Sequence, residues 1–288
     1  MSRRHLIMLL ALAAIWGASF MFIKIGVREL EPATLIFFRC LLAAVTLLPL
    51  AAVTRGALPA VRANWRPIVI MGAFNSAIPF WFLTWGETRI DSGLAAIVQA
   101  SAPIFTVILA FAFTSERVTG LRLAGIAVGF VGVTLLVGDL GGGAIWGALA
   151  VLVAALSYAG ASLYGARTLR LVTPLAIALG TMSAATLLSA PIGLAQLPGS
   201  VPGWKVVVSV VFLGVAGSAV AYLLYFAIMV GAGATYAILV TYLVPAVALA
   251  YGAFFLDEAV TIAAIAGLTL ILGGTALGTG AVRATLRR

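Results

Sequence analysis

Residues 92–113 read SGLAAIVQASAPIFTVILAFAF, and residues 234–255 read ATYAILVTYLVPAVALAYGAFF. Each stretch is apolar over the roughly 20 residues that cross a bilayer. Each carries a proline near its middle, Pro103 in the first and Pro245 in the second. The prolines lie 142 positions apart, and the same offset pairs Pro32 with Pro174, Pro49 with Pro191, Gly72 with Gly214, Ser76 with Ser218, Glu116 with Glu258, Gly125 with Gly267 and Gly132 with Gly274. No gap is needed, so the chain reads as two copies of one unit, residues 1–138 and 139–288. A hydrophobic chain of two such halves, each with a helix interrupted at the same place, has the plan of many secondary transporters.

The composition demands lipid. Of 288 residues, 64% are hydrophobic and 9% charged, more apolar surface than a soluble domain of this size can hide. Apolar stretches of spanning length fall at 5–26, 32–54, 66–86, 92–114, 119–137, 144–165, 174–197, 204–228, 234–256 and 260–281. Backbone groups in hydrocarbon must bond internally, and the alternation of barrel strands is absent. The expectation is an all-α membrane protein of ten transmembrane helices. The first run, with Arg3 and Arg4 before it and Ala11-Leu12-Ala13 inside it, resembles a signal peptide. It continues to Gly26 and is read as a retained first helix. The lone Cys40 excludes an internal disulfide and a cysteine-rich metal site. No cofactor or metal is expected. The net charge of +9 is spread singly between apolar stretches without a nucleic-acid motif, so the expected surroundings are a bilayer and a small solute.

Orientation follows from the basic residues. With the N-terminus in the cytoplasm, twelve fall inside: Arg3, Arg4, Arg55, Arg62, Arg66, Arg117, Arg122, Arg167, Arg170, Arg283, Arg287 and Arg288. Only Lys24, Arg28, Arg89 and Lys205 fall outside, and among the acids only Glu116 falls inside. Both termini are then cytoplasmic. Five helices per unit is an odd number, so the second unit enters from the opposite face, and the repeats are inverted. Two inverted halves give alternating access a natural origin.

Helix-interior prolines deprive the carbonyl four residues back of a partner. Pro103 and Pro245 free those of Gln99 and Thr241, a repeat-related pair that also bears polar side chains. Asn75 and Ser76 precede Pro79 in helix 3, and Ser218, Tyr222 and Tyr225 share one face of helix 8. Helix 1 supplies Trp16, Ser19 and Phe20, and helix 6 supplies Tyr158 and Ser162. This mid-membrane set of rings and neutral polar groups suits a solute with an apolar body and a small polar head. No acid lies near the centre of a span, so movement down the substrate gradient is favoured over proton coupling. Lys24 and Arg39 lie about one to two turns from the outer surface, at ~1.5 Å per residue. There they either snorkel or form an outer gate with Glu87, Asp91, Asp257 or Glu258. Gly125, Gly129 and Gly132, with Gly267, Gly273 and Gly274, read as close helix packing within the molecule or across a homodimer.

These residues resemble the EamA type of the drug/metabolite transporter superfamily. The likeness rests on Trp16-Gly17-Ala18-Ser19-Phe20 with Lys24, on Arg39 after Pro32, and on the helix endings Phe113 to Glu116 and Phe255 to Glu258. It covers nearly the whole chain. It implies ten helices in inverted repeats, a bacterial inner-membrane location and efflux. The subgroup that exports amino acids, aromatic ones included, fits the neutral aromatic lining best. Efflux of lipophilic or cationic drugs and proton-coupled antiport are alternatives. An intramembrane enzyme would need a metal cluster or a nucleophile–base pair in the bilayer, and no histidine or acid is read inside these spans.

Overall fold

In the computed structural model, residues 2–113, 120–138, 140–237 and 239–278 are described. Glu116, Arg117, Asp139, Arg283, Arg287 and Arg288 lie outside them. Every regular element among the described residues is helical. Eight helices are long and apolar enough to cross a membrane: α1 (Arg3–Gly26), α2 (Pro32–Val53), α3 (Trp65–Glu87), α4 (Ser92–Phe113), α5 (Gly120–Gly138), α6 (Gly143–Thr168), α7 (Pro174–Ala195) and α8 (Trp204–Ala232). Two shorter apolar helices follow, α9 (Val240–Leu256) and α10 (Ile262–Gly278). A single turn, Ala234–Ala237, precedes α9, and a short helix, Ala57–Ala63, links α2 to α3.

The helix starts follow local chemistry. The Ser2 side chain caps α1 by accepting from the His5 N–H. Pro32 and Pro174 open α2 and α7, where the missing N–H is one of the helix's unsatisfied donors anyway. Inside the spans the prolines behave differently from one another. At Pro103, α4 breaks: Ala100 and Ser101 form a turn between Ser92–Gln99 and Ala102–Phe113. At Pro245, α9 runs on as a helix. The interruption on that side falls earlier, where the Ala234–Ala237 turn ends and Leu239 leads into α9 at Val240. The two breaks are therefore not at matching positions, contrary to the symmetry of the prolines.

The halves interlock through exchanged contacts. α2 packs on α7 and α5 on α10, each against its own repeat mate. α1 packs on α8 and α3 on α6; α1 packs on α9 and α4 on α6. In the mate pairs the chains run antiparallel. Thr34, near the start of α2, donates to the carbonyl oxygens of Gly193 and Gln196 at the end of α7, at 2.9 and 3.1 Å. Gly125, early in α5, faces Gly274 and Gly278, late in α10, while Gly132 faces Gly267. Gly125, Gly129, Gly132, Gly267 and Gly274 thus pack within one chain as a small-residue seam, while Gly273 does not join that seam.

A Cβ at Gly274 would strike the backbone of Gly125 and Gly129, whereas one at Gly273 would meet nothing within 4 Å. Gly274→Val should therefore cost about 1–3 kcal/mol by overpacking, read as a lower melting temperature in detergent, with Gly273→Val close to the parent. Equal melting of the two variants would remove the seam as a source of stability.

Candidate functional site

Two widened turns shape the middle of the bundle. Residues Ala73–Ala77 of α3 and Phe212–Val220 of α8 are π-helical, and they occupy corresponding places in the two halves. A π turn leaves one residue unmatched in the ladder and often marks a functional site. Here it presents Asn75 and Ser76 from α3 and Ser218 from α8. Pro79 sits just after the first such turn. No proline follows the second, so the feature is not proline chemistry alone.

Arg39 projects from α2 between these turns. It is only 5% exposed, which rules out snorkelling. Its Nε donates to Ser218 Oγ at 3.0 Å, and its guanidinium lies 3.9 Å from the centre of the Phe80 ring. Tyr158, Tyr222 and Glu87 are within electrostatic reach. Tyr158 and Tyr222 pack against the same buried cluster that holds Phe80 and Cys40. Asn75 Nδ2 donates to the Tyr222 hydroxyl at 3.2 Å. Trp16 meets Tyr222 edge-on at 6.4 Å and Tyr225 at 5.6 Å. One connected set therefore joins α1, α2, α3, α6 and α8, with aromatic faces on one side and a buried cation on the other.

The remaining expected residues fall elsewhere. Phe20 belongs to the core cluster of Ile23, Leu35 and Leu213. The Ser19 hydroxyl donates to the Ile15 carbonyl, which satisfies it within its own helix. Ser162 is exposed. Thr241 is half-buried on α9. Gln99 stands at the break in α4 with its side-chain oxygen buried and without a partner. Phe80 was not anticipated. Its only cue is its position beside Pro79.

Toward Lys24 the bundle is shut. Gly17 of α1 packs on Val247 and Ala248 of α9, and Gly93 of α4 packs on Leu249. Lys24 Nζ donates to the backbone carbonyls of Glu87 and Ile90 at 2.8 and 2.7 Å. Glu258 caps α4, accepting from Ser92 N, Gly93 N and Ser92 Oγ at 2.9, 3.0 and 2.8 Å. α9 ends with Asp257 in the left-handed region, and Glu258 N bonds the Gly252 carbonyl. Gly252 leaves room for the returning carboxylate. Of the expected gate, Lys24 and Glu258 thus bind helix ends and not each other. Asp91 beside them is raised above its ordinary value, first by partial burial and then by the charge of Glu258. Glu87, at the end of α3 as expected, is fully buried with both carboxylate oxygens unpartnered. Toward the chain termini the arrangement loosens. The second part of α4, from Ala102, packs on α6, and α9 stays with α1, so the two diverge.

A profile of the EamA-like transporter family matches residues 3–138 and again residues 145–279. The chain is 29% identical to an "Uncharacterized transporter" of Archaeoglobus fulgidus, over 90% of this chain and 92% of that one. It is 29% identical to a "Probable terminal-alkyne amino-acid exporter" of Streptantibioticus cattleyicolor, over 91% and 89%. It is 30% identical to a "Probable amino-acid metabolite efflux pump" of Escherichia coli, over 95% and 94%. A solved crystal structure superposes with a TM-score of 0.69 over 99% of each chain at 20% identity, a likeness of fold.

The Glu258 cap is directly measurable. Glu258→Gln removes the charge from the α4 N-terminus and should speed amide exchange at Ser92 and Gly93 about tenfold, equivalent to ~1.4 kcal/mol. Unchanged protection would show that packing alone holds this end.

Proposed function

We propose a cargo and a mode of action for this chain, which belongs to the EamA-like transporter family: it exports neutral amino acids, aromatic or hydrophobic, and related metabolites by alternating access. The observation that carries the reading is the connected set of Trp16, Tyr222, Tyr225 and Asn75 inside the bundle, closed off toward Lys24 and loosening toward the termini. Aromatic faces hold an apolar side chain, and the neutral polar groups orient a small head. Two of the relatives named above are themselves called an amino-acid exporter and an amino-acid metabolite efflux pump.

The architecture behind this reading is ten crossings in two inverted five-helix repeats. The 142-residue offset, the two matches to the family profile and the antiparallel packing of α2 on α7 and α5 on α10 support it. The excess of arginine beside the cytoplasmic ends supports a Lys24 face turned outward and termini inside, in a bacterial inner membrane. Movement down the substrate's own gradient is the first mode. Exchange for protons is a second, favoured by one observation: Glu87 is buried without a hydrogen bond, facing Lys24, Glu258 and Arg39. A buried carboxylate in that state is costly, and a bound proton removes the cost.

In proteoliposomes, Trp16→Ala and Gln99→Ala should each cut phenylalanine counterflow about five- to tenfold, on the scale of one lost aromatic or hydrogen-bonding contact of ~1 kcal/mol. Unchanged flux in both folded variants removes the site. Under the proton-exchange mode, an inward pH gradient accelerates export by the parent, and Glu87→Gln abolishes that acceleration while gradient-free counterflow persists. Indifference of the parent to the gradient leaves movement down the substrate gradient.

A further inference from the structure

We propose that Arg39 receives the carboxylate of the transported amino acid, an inference that rests on the exporter reading and adds the chemical group by which the cargo is chosen. A guanidinium stays charged at every accessible pH, and a charge within a membrane-embedded bundle is retained only where something pairs with it. Among the described residues, nothing anionic does. Arg39 makes one hydrogen bond, from Nε to the neutral Ser218 hydroxyl, and one ring contact, with Phe80. The acid within electrostatic reach, Glu87, accepts no hydrogen bond on either carboxylate oxygen, so it is not the ion-pair partner. Sequence position does not turn the side chain outward either, since the residue is 5% exposed.

The surroundings hold the guanidinium as a receptor would. Ser218 and Phe80 fix the plane of the fork from one edge and one face, leaving the terminal nitrogens for a planar two-oxygen acceptor. Carboxylate is the acceptor that matches this fork bidentately. Tyr222 links the cation to the apolar wall: it is within electrostatic reach of Arg39 and meets Trp16 edge-on. A molecule with its carboxylate on Arg39 therefore has aromatic faces beside it for its side chain. Fixed positive charge also disfavours cationic drugs, which separates this site from one for lipophilic amines.

The test is competition against labelled phenylalanine counterflow in proteoliposomes. In the parent, unlabelled phenylalanine and 3-phenylpropionate should compete at least tenfold better than phenylalaninamide and phenethylamine. Arg39→Gln should collapse the ratio of acid to amide toward one, and Arg39→Lys, which keeps the charge without the fork, should retain part of it. Glu87→Gln should leave the ratio intact; a collapse there equal to that of Arg39→Gln would make Glu87 the true partner of Arg39 and overturn the proposal. An amide that competes as well as the acid in the parent also overturns it while the exporter reading stands. If the parent carries no phenylalanine, the exporter reading fails, and melting of the detergent-purified protein decides the matter for Arg39. Stabilisation by 3-phenylpropionate in the parent that is lost in Arg39→Gln and partly kept in Arg39→Lys upholds the carboxylate site; no stabilisation in the parent ends it. The melting baseline of each variant without ligand reports whether it folds.

Discussion

A helix that loses a hydrogen bond inside a bilayer has no water to replace it, and this constraint governs where the chain can depart from regularity. Among the described residues the departures are few, and the break in α4 and the serines Ser76 and Ser218 of the widened turns are buried. α4 breaks at Ala100 and Ser101, where Ala100 is buried and Ser101 turns its hydroxyl back onto the Val98 carbonyl. The widened turns of α3 and α8 face α7 and α2. The break and the widened turns supply the polar atoms that an otherwise apolar bundle lacks: Gln99 at the break, Asn75, Ser76 and Ser218 on the widened turns. Irregularity and polarity therefore coincide, and both lie where the two halves meet.

The same constraint explains how the end near Lys24 is held. Lys24 binds carbonyls where α3 ends, and Glu258 binds N–H groups where α4 begins. Each ion is matched to the helix terminus of opposite partial charge. A Lys24–Glu258 pair would have locked two side chains together and left both helix ends unsatisfied. The observed pairing satisfies backbone groups that need partners in any case. It also ties α3 to α1 and α4 to the end of α9 through these two ions.

Much of this was legible in the chain itself. The repeat, the helical class, the break at Pro103 and the grouping of Trp16, Asn75, Tyr158, Ser218 and Tyr222 follow from spacing and residue type. The azimuth of charged residues did not follow. Counting from a span end gives depth, but helices that are apolar nearly all round do not say which face looks inward, and so Arg39 and Glu87 were placed at the periphery. The π turns left no residue signature, since one precedes a proline and its mate does not. Ser19 and Ser162 show the opposite error: a small polar residue in a span reads as lining, yet one bonds its own helix and the other is exposed.

The inequality between the mates carries its own argument. α4 is broken at Ala100 and Ser101, just before Pro103, whereas its mate is interrupted earlier, ahead of Val240, and α9 runs on through Pro245, although both keep equivalent contacts, α4 with α6 and α9 with α1. Two copies of one sequence pattern thus hold two conformations at once. Under the inverted-repeat exporter proposed above, exchanging those conformations between the halves would turn an opening at one face into an opening at the other. In that proposal each half would adopt a shape that the other already shows to be compatible with the shared pattern. The contacts such an exchange would have to break at the end near Lys24 are the attachments of Lys24 and Glu258 to the ends of α3 and α4.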